Sequence, residues 1–459
     1  MDSGVVEEVR AEVDALVRGL SEERFGHVAG LAPSPGLVAV FSAHGLAAHA
    51  DTVAMLREGG EGELAARVAA LVAGRAAAAE EEAWRAADAT AAGNGPDGPV
   101  GLSDAALSLL HERDRDRRRA LGRAVAEAAL ASSSPREAAA EARAAERARL
   151  GLTPAWEDVV QADEVLSVSE AAYQEVLAWF ARQEGLELPP RGGLDRAELL
   201  HLLAFRDHDG LFRPGPLSQV VLDGFDGLGV DVRRVRLDGT SRAAKWPGAH
   251  AFEGRVSLRR QGGLADWLDL PDAAGRAAAA AISRPSTRDA ALPATVGALG
   301  SWLLLEPRFL QSATGLDRKR SRDVVRRLAL RLLFQLRARA AAMRVAVEVE
   351  RGTGGRAWHE AHREALSRAA LASWPDGLAP RDADAGAHRA TLAGAAWAAA
   401  IRHDLRERFD EDYWRNPRTG EALAGRIAAG SPGPEEERPP LARAAEALGA
   451  LLAAGGERS

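Results

Sequence analysis

Two short segments of the chain bring together side chains capable of acid–base or metal chemistry. Trp358-His359-Glu360-Ala361-His362 sets two imidazoles three residues apart with a carboxylate between them. A helical zinc site of the HExxH type needs imidazoles at i and i+4, so that both nitrogens share a face beside a glutamate serving the metal-bound water. The i, i+3 pair can share a face too, but no convincing third ligand accompanies it, and the segment reads as a surface helix. Asp207-His208-Asp209 reads as a turn. A carboxylate-oriented histidine there suits acid–base work or metal ligation, and such turns are also ordinary loop chemistry. His44 and His49 have no partner at a defensible spacing. No Gly-x-Ser-x-Gly elbow, Walker-type loop or strand-borne Gly-x-Gly-x-x-Gly is present. The absence of cysteine removes thiolate ligands, a thiol nucleophile and disulfides.

The elements that must position any site are mostly helices. In 1–150, Val9, Val13, Leu16, Val17 and Leu20 recur at three-to-four spacing, and the region reads as an N-terminal helical wall. Gly93 to Pro99 reads as a loop, with Ser103-Asp104 as a helix cap after it. Ser134-Pro135 and Thr153-Pro154 start further helices, the second running through Trp156, Tyr173 and Phe180. Pro189 to Gly193 interrupts the pattern. Between 229 and 258 the apolar period shifts toward two, through Val230, Val232, Val235, Leu237, Phe252, Val256 and Leu258, which predicts a small sheet or hairpin. After Gly262-Gly263 helices resume to about residue 430, with turns at Gly352 to Gly355 and Trp374-Pro375, and 431–459 reads as a Pro/Glu-rich linker with a short terminal helix.

A formal charge of −7 and a pI near 6.0 argue against a general nucleic-acid binder. The clusters Arg113 to Arg119 and Arg318 to Arg327 read as solvated helix faces with intrahelical pairs. No apolar run approaches a membrane span and the first residues lack a signal-peptide pattern, so a cytoplasmic protein is expected.

Residues 194 to 276 then carry a resemblance. Leu211-Phe212-Arg213-Pro214, Gly227-Leu228-Gly229-Val230-Asp231, Leu237-Asp238, Arg242, Lys245-Trp246-Pro247 and Ala249-His250-Ala251-Phe252 follow one another before Gly262-Gly263. In order and spacing this resembles zinc peptidases of the oligoendopeptidase F and thimet oligopeptidase kind (gluzincins). The resemblance implies a mainly α, oligopeptidase-like helical body with a deep cleft and a small β-sheet near residues 230–260. It spans most of 151–430, the peptidase-like region.

Counted onward from Gly262-Gly263 without a gap, the family's zinc motif falls on Asp272-Ala273-Ala274-Gly275-Arg276. Asp272 and Arg276 then stand for the histidines and Ala273 for the catalytic glutamate. The downstream helix before Leu303-Leu304-Leu305-Glu306-Pro307 brings no glutamate until its end. After Asp382-Ala383-Asp384-Ala385-Gly386, His388 and Leu392 stand about where the family has tyrosines; the whole chain has two, Tyr173 and Tyr413.

The resemblance, with these substitutions, implies a pseudopeptidase without catalytic residues, metal or cofactor, in which Asp272 holds Arg276 as a tethered cation where zinc would sit. Asp272, Arg276, His250, His388 and Lys245 are the expected ligand contacts, and a peptide or protein the expected partner. A hydrolase using His208, His250 or His388 with nearby carboxylates is the alternative. A helical structural partner protein is the weaker one.

Overall fold

The computed structural model describes residues 3–152, 154–186, 193–352, 354–378 and 384–454. Thr153, the turn at Pro189 to Gly192, and Asp382 and Ala383 of the acidic turn lie outside the described residues.

The N-terminal part comprises α1 (Ser3–Val28), α2 (Leu37–Ala43), α3 (Ala50–Glu58), α4 (Gly62–Ala76) and α5 (Ala78–Thr90). A hairpin, β1 (Ala92–Gly95) and β2 (Gly98–Gly101), precedes α6 (Leu102–His111), α7 (Arg115–Ala131) and α8 (Ser133–Arg149). Val6, Val9, Val13, Leu16 and Leu20 form the buried stripe of α1, at helical spacing, and pack with Leu56, Leu64 and Val68 as a core of their own.

The rest of the body begins with α9 (Trp156–Gln183), β3 (Leu194–Asp195), α10 (Arg196–Ala204) and α11 (Pro214–Gly227). Strands β4 (Arg236–Asp238), β5 (Gly248–Phe252) and β6 (Arg255–Arg259) follow, then α12 (Gly263–Ile282), α13 (Ala291–Trp302), α14 (Pro307–Thr314) and α15 (Arg318–Glu350). The chain ends in α16 (Gly355–Ala370), β7 (Ala372–Ser373), α17 (Ala385–Phe409), α18 (Pro417–Ala428) and α19 (Arg443–Ala454). One large apolar core runs through these elements, from Ala162 to Leu452.

The fold is therefore mainly helical with little sheet, as the periodicities indicate. The sheet near 230–260 has the order β4-β6-β5, with β4 parallel and β5 antiparallel to β6. Val230 and Val232 are not in it: a 3-10 turn at Val232–Arg234, capped by Asp231, takes their place, and both side chains are buried in the main core. Gly93 to Pro99 forms the β1–β2 hairpin and not a plain loop. Ser103 and Asp104 stand inside the first turn of α6, whose N-cap is Gly101.

Two features set the helices of the site. Gly262 and Gly263 have φ of +82° and +58°, the left-handed region that lets the chain turn from β6 into α12, and a β-carbon at Gly263 would overlap the Asp209 carboxylate. Where α12 crosses α13, a β-carbon at Gly297 would lie 2.6 Å from the Asp272 carbonyl oxygen. Glycine thus lets the two backbones meet beside Asp272. Hydrogen bonds tie the N-terminal helices across to this region: Ser286 N and Arg284 Nε each reach the Asp14 carboxylate at 2.8 Å, and Trp246 N reaches Val28 O at 3.0 Å.

Candidate functional site

Helix α12 starts with Asp266 accepting from Gln261 N at 2.7 Å and continues through Pro271, which has no N–H for the carbonyl of Trp267. One residue on, Asp272 accepts from Arg276 Nε at 2.6 Å, both side chains about one-third exposed. Acid before base at i, i+4 is the favourable order along a helix.

Asp272 and Arg276 line a cavity of about 230 Å³ together with Asp269, Ala298, Ser301 and Arg339. Arg276 also lines a second cavity, of about 410 Å³, whose other wall includes Leu20, Ser21 and Arg24 of α1. Arg24 in turn lines a third, of about 630 Å³, which Arg339 shares with the first. The three are therefore neighbours that share lining side chains, set between the N-terminal helices on one side and β5, α12, α15 and α17 on the other.

Asp269 is a carboxylate that sequence reasoning missed. Burial raises its pKa, Arg331 offsets part of that, and the neighbouring Asp272 and Asp266 push it further, to about 6. Its Oδ2 accepts from Gln261 Nε2 at 2.8 Å.

His250 of β5 and His388 of α17 both line the 630 Å³ cavity. His250 Nε2 bonds Pro247 O at 2.9 Å, and burial holds the imidazole below its ordinary pKa. Buried His388 lies with Nδ1 3.3 Å from Arg339 Nη1. The opposite wall, on α1, α5 and α8, carries Arg24, Glu81, Trp84, Arg85, Asp88, Arg136 and Arg143. None was singled out in the sequence, although Glu81 and Arg85 are one turn apart and Arg136 and Arg143 two turns apart, spacings that place each pair on one helix face.

Lys245 does not join the cleft. Its side chain is fully buried, with Nζ bonded to Asp238 O at 2.6 Å and Thr240 O at 3.2 Å and 3.0 Å from the Asp238 carboxylate, so it ties the loop between β4 and β5 together.

The other histidine segments are committed to local structure. His208 lies 2.8 Å from Asp207 and 3.7 Å from Asp323, and these carboxylates raise its pKa to about 9 against an opposing effect of burial. It is a cation near neutrality and not a free base. Helix α16 is not simply a surface helix: Trp358 and His362 are buried, and His359 Nε2 is 2.7 Å from Glu137. Among the described residues, no three His, Asp or Glu side chains are grouped to hold a metal ion.

Arg118, in a cluster read as a solvated face, is buried and bonded at 2.6 Å to Glu198. Glu306 is buried between Arg402 at 2.6 Å and Arg406 at 2.9 Å. Tyr173 donates to Ala370 O at 3.1 Å, and both it and Tyr413 are core residues.

No protein-family model matches the sequence, and no curated protein does either. Solved structures do match. PZ peptidase A, solved with an inhibitor, superposes with a TM-score of 0.58 at 14% identity, over 100% of this chain and 88% of that one. A Bacillus anthracis str. Ames protein assigned as an oligoendopeptidase F gives 0.52 at 13% identity, over 99% and 85%. BsuCP gives 0.56 at 11% identity, over 98% of each chain. The chain has the oligopeptidase-like fold. Such low identities establish the architecture alone. No described helix is long and apolar enough to cross a membrane.

Proposed function

We propose that the chain is a non-catalytic, peptidase-like protein that holds a peptide or a segment of a partner protein in its cleft, with Arg276 as the anchoring cation. The observation that carries this reading is the Asp272–Arg276 pair, 2.6 Å apart on α12 at the seam between two of the cavities. A guanidinium held there can bond a carboxylate or a backbone carbonyl with charge-assisted strength.

The residues present do not fit a zinc ion. Zinc peptidase chemistry needs neutral imidazoles or carboxylates on the metal and a carboxylate to take a proton from water. Here the carboxylate of Asp272 is occupied by Arg276, whose charge is permanent and opposes a dication, and Ala273 has no proton to exchange. On α13, Gly297 faces Asp272, and Ala298 and Ser301 line the same cavity without offering a carboxylate. Burial of Tyr173 and Tyr413 further supports binding without hydrolysis, since neither phenol is free to contact a substrate carbonyl. Under this reading the chain divides into a wall at 1–150, a peptidase-like region at 151–430 and a terminal segment at 431–459.

Titration of the full chain with a fluorescent peptide library tests the reading. Binding without cleavage is expected, and Arg276→Gln should weaken it about 10- to 100-fold, the loss of one or two charge-assisted bonds. Unchanged binding by Arg276→Gln would remove Arg276 from the role.

A further inference from the structure

The 630 Å³ cavity carries an imbalance of charge that no function described so far uses. Glu81 of α5 sits in its wall, nearly buried, with Arg85 Nη2 at 2.8 Å, Arg24 Nε at 3.1 Å and Arg143 Nη2 at 3.4 Å. Three guanidiniums from three helices therefore share one carboxylate. Burial alone would raise the Glu81 pKa, but the arginines prevail and hold it at about 2, so the carboxylate is fully ionised and still leaves two positive charges in excess. Burial, more than the neighbouring cations, pushes the Arg85 pKa below its ordinary value; Glu81 offsets this in part, and Arg24 adds to the depression. The adjacent buried Asp88, paired with Arg136, also offsets part of the depression at Arg85, and with Arg339 and Asp384 counted the lining still carries five guanidiniums against three carboxylates.

From this geometry we infer that the cavity selects acidic peptides, taking an aspartate, glutamate or terminal carboxylate against Arg24, Arg85 and Arg143. A guanidinium cluster offers planar, forked donors that match carboxylate oxygens. The volume, about 630 Å³, exceeds what a lone small anion needs and accommodates several residues of peptide. Trp84, stacked under Arg85 with 4.4 Å from guanidinium carbon to ring centroid, gives the wall an apolar face beside the charges. His27 and His250, also in the lining, are held below their ordinary pKa by burial first, so neither adds to the positive charge of the arginines. Arg24 also lines the neighbouring cavity that holds Arg276, which places the two cationic sites side by side.

This inference rests on the reading that the cleft takes peptide and adds the charge of its occupant. Its test is fluorescence anisotropy of the full-length protein with three labelled hexapeptides that differ only in carrying Asp/Glu, Asn/Gln or Lys. The acidic peptide should bind about tenfold tighter than its amide isostere at low salt, and the margin should shrink at high salt. Arg143→Gln should reduce the margin. Glu81→Gln, which removes the competing carboxylate, should widen it. Circular dichroism establishes that each variant is folded, and the opposite signs keep the test decisive if one of them is not. Equal affinity for acidic and amide peptides would overturn the inference while leaving the cleft reading intact. Binding of none of the peptides would overturn both. Displacement of the acidic peptide by inorganic phosphate at similar concentration would reassign the cavity to small anions and end the claim for peptides.

Discussion

Arg276 reaches back one turn of α12 to Asp272, and Gly297 of α13 packs against both, so near that its absent β-carbon would meet the Asp272 carbonyl and the Arg276 side chain. Two helices thus converge on one partly exposed ion pair.

That convergence makes the site rebuildable. Asp272→His, Ala273→Glu and Arg276→His, with a glutamate at Ala298 or Ser301, should create zinc affinity measurable by calorimetry. The four positions line or adjoin one cavity, and the paired histidines would share a helix face. Catalysis is not expected to return with the metal, because the supporting groups around it were not built for the task. No zinc binding by a folded variant would mean that α12 and α13 do not present these positions to a common point.

The α12–α13 crossing leads to a stability prediction. Gly297→Ala should cost about 1–3 kcal/mol in urea unfolding, because the new methyl meets backbone that has no room to move. Gly425→Ala in α18 is the control, since nothing lies within 4 Å of its would-be β-carbon. It should leave stability unchanged or raise it by about 0.5–1 kcal/mol. Equal effects at both positions would contradict the close crossing.

His208 predicts a pH dependence. Its pKa rises from 6.5 to about 9 on folding, mainly through Asp207 and then Asp323. A raised folded-state value means that the contribution is fully present below pH 6.5 and is lost as pH climbs through 9. With both carboxylates about half exposed, solvent screening reduces the effect to on the order of 1 kcal/mol. Thermal melts of the wild type and His208→Asn should therefore differ at pH 6 and converge by about pH 9.5. A difference that is independent of pH would contradict the ion-pair account.

Lys245→Met separates a structural lysine from a binding one. Asp238 would keep Arg242 but lose the buried ammonium beneath the loop, at a cost of about 3 kcal/mol. Peptide affinity of the folded fraction should stay the same. A loss of affinity without a loss of stability would return Lys245 to the cleft.

Patterns confined to one element are legible in the sequence, and contacts between distant elements are not. The stripe Val9, Val13, Leu16 and Leu20, the strands of 236–259 and the pairing of Asp272 with Arg276 all depend on local spacings. Glu81 is different. Its partners Arg24 and Arg143 are 57 and 62 residues away, and nothing in an alanine- and arginine-rich stretch marks them as neighbours. The same holds for Arg118 and Glu198, 80 residues apart, which made a buried tie look like a solvated face. Val230 and Val232 alternate as a strand does, but Asp231 caps a 3-10 turn there, and capping chemistry overrides a two-residue period. The β1–β2 hairpin was hidden by its composition, since four of its strand residues are glycine.

The fate of peptides in the cleft decides between a binding protein and a peptidase. Incubating the purified chain with a quenched-fluorescence peptide library in the presence of zinc, manganese or cobalt, with and without chelator, measures this in one experiment. Peptides retained but intact under every condition are the result expected. Cleavage that requires added metal and stops with chelator would contradict it, because it would demand a metal site that Asp272, Ala273 and Arg276 cannot supply.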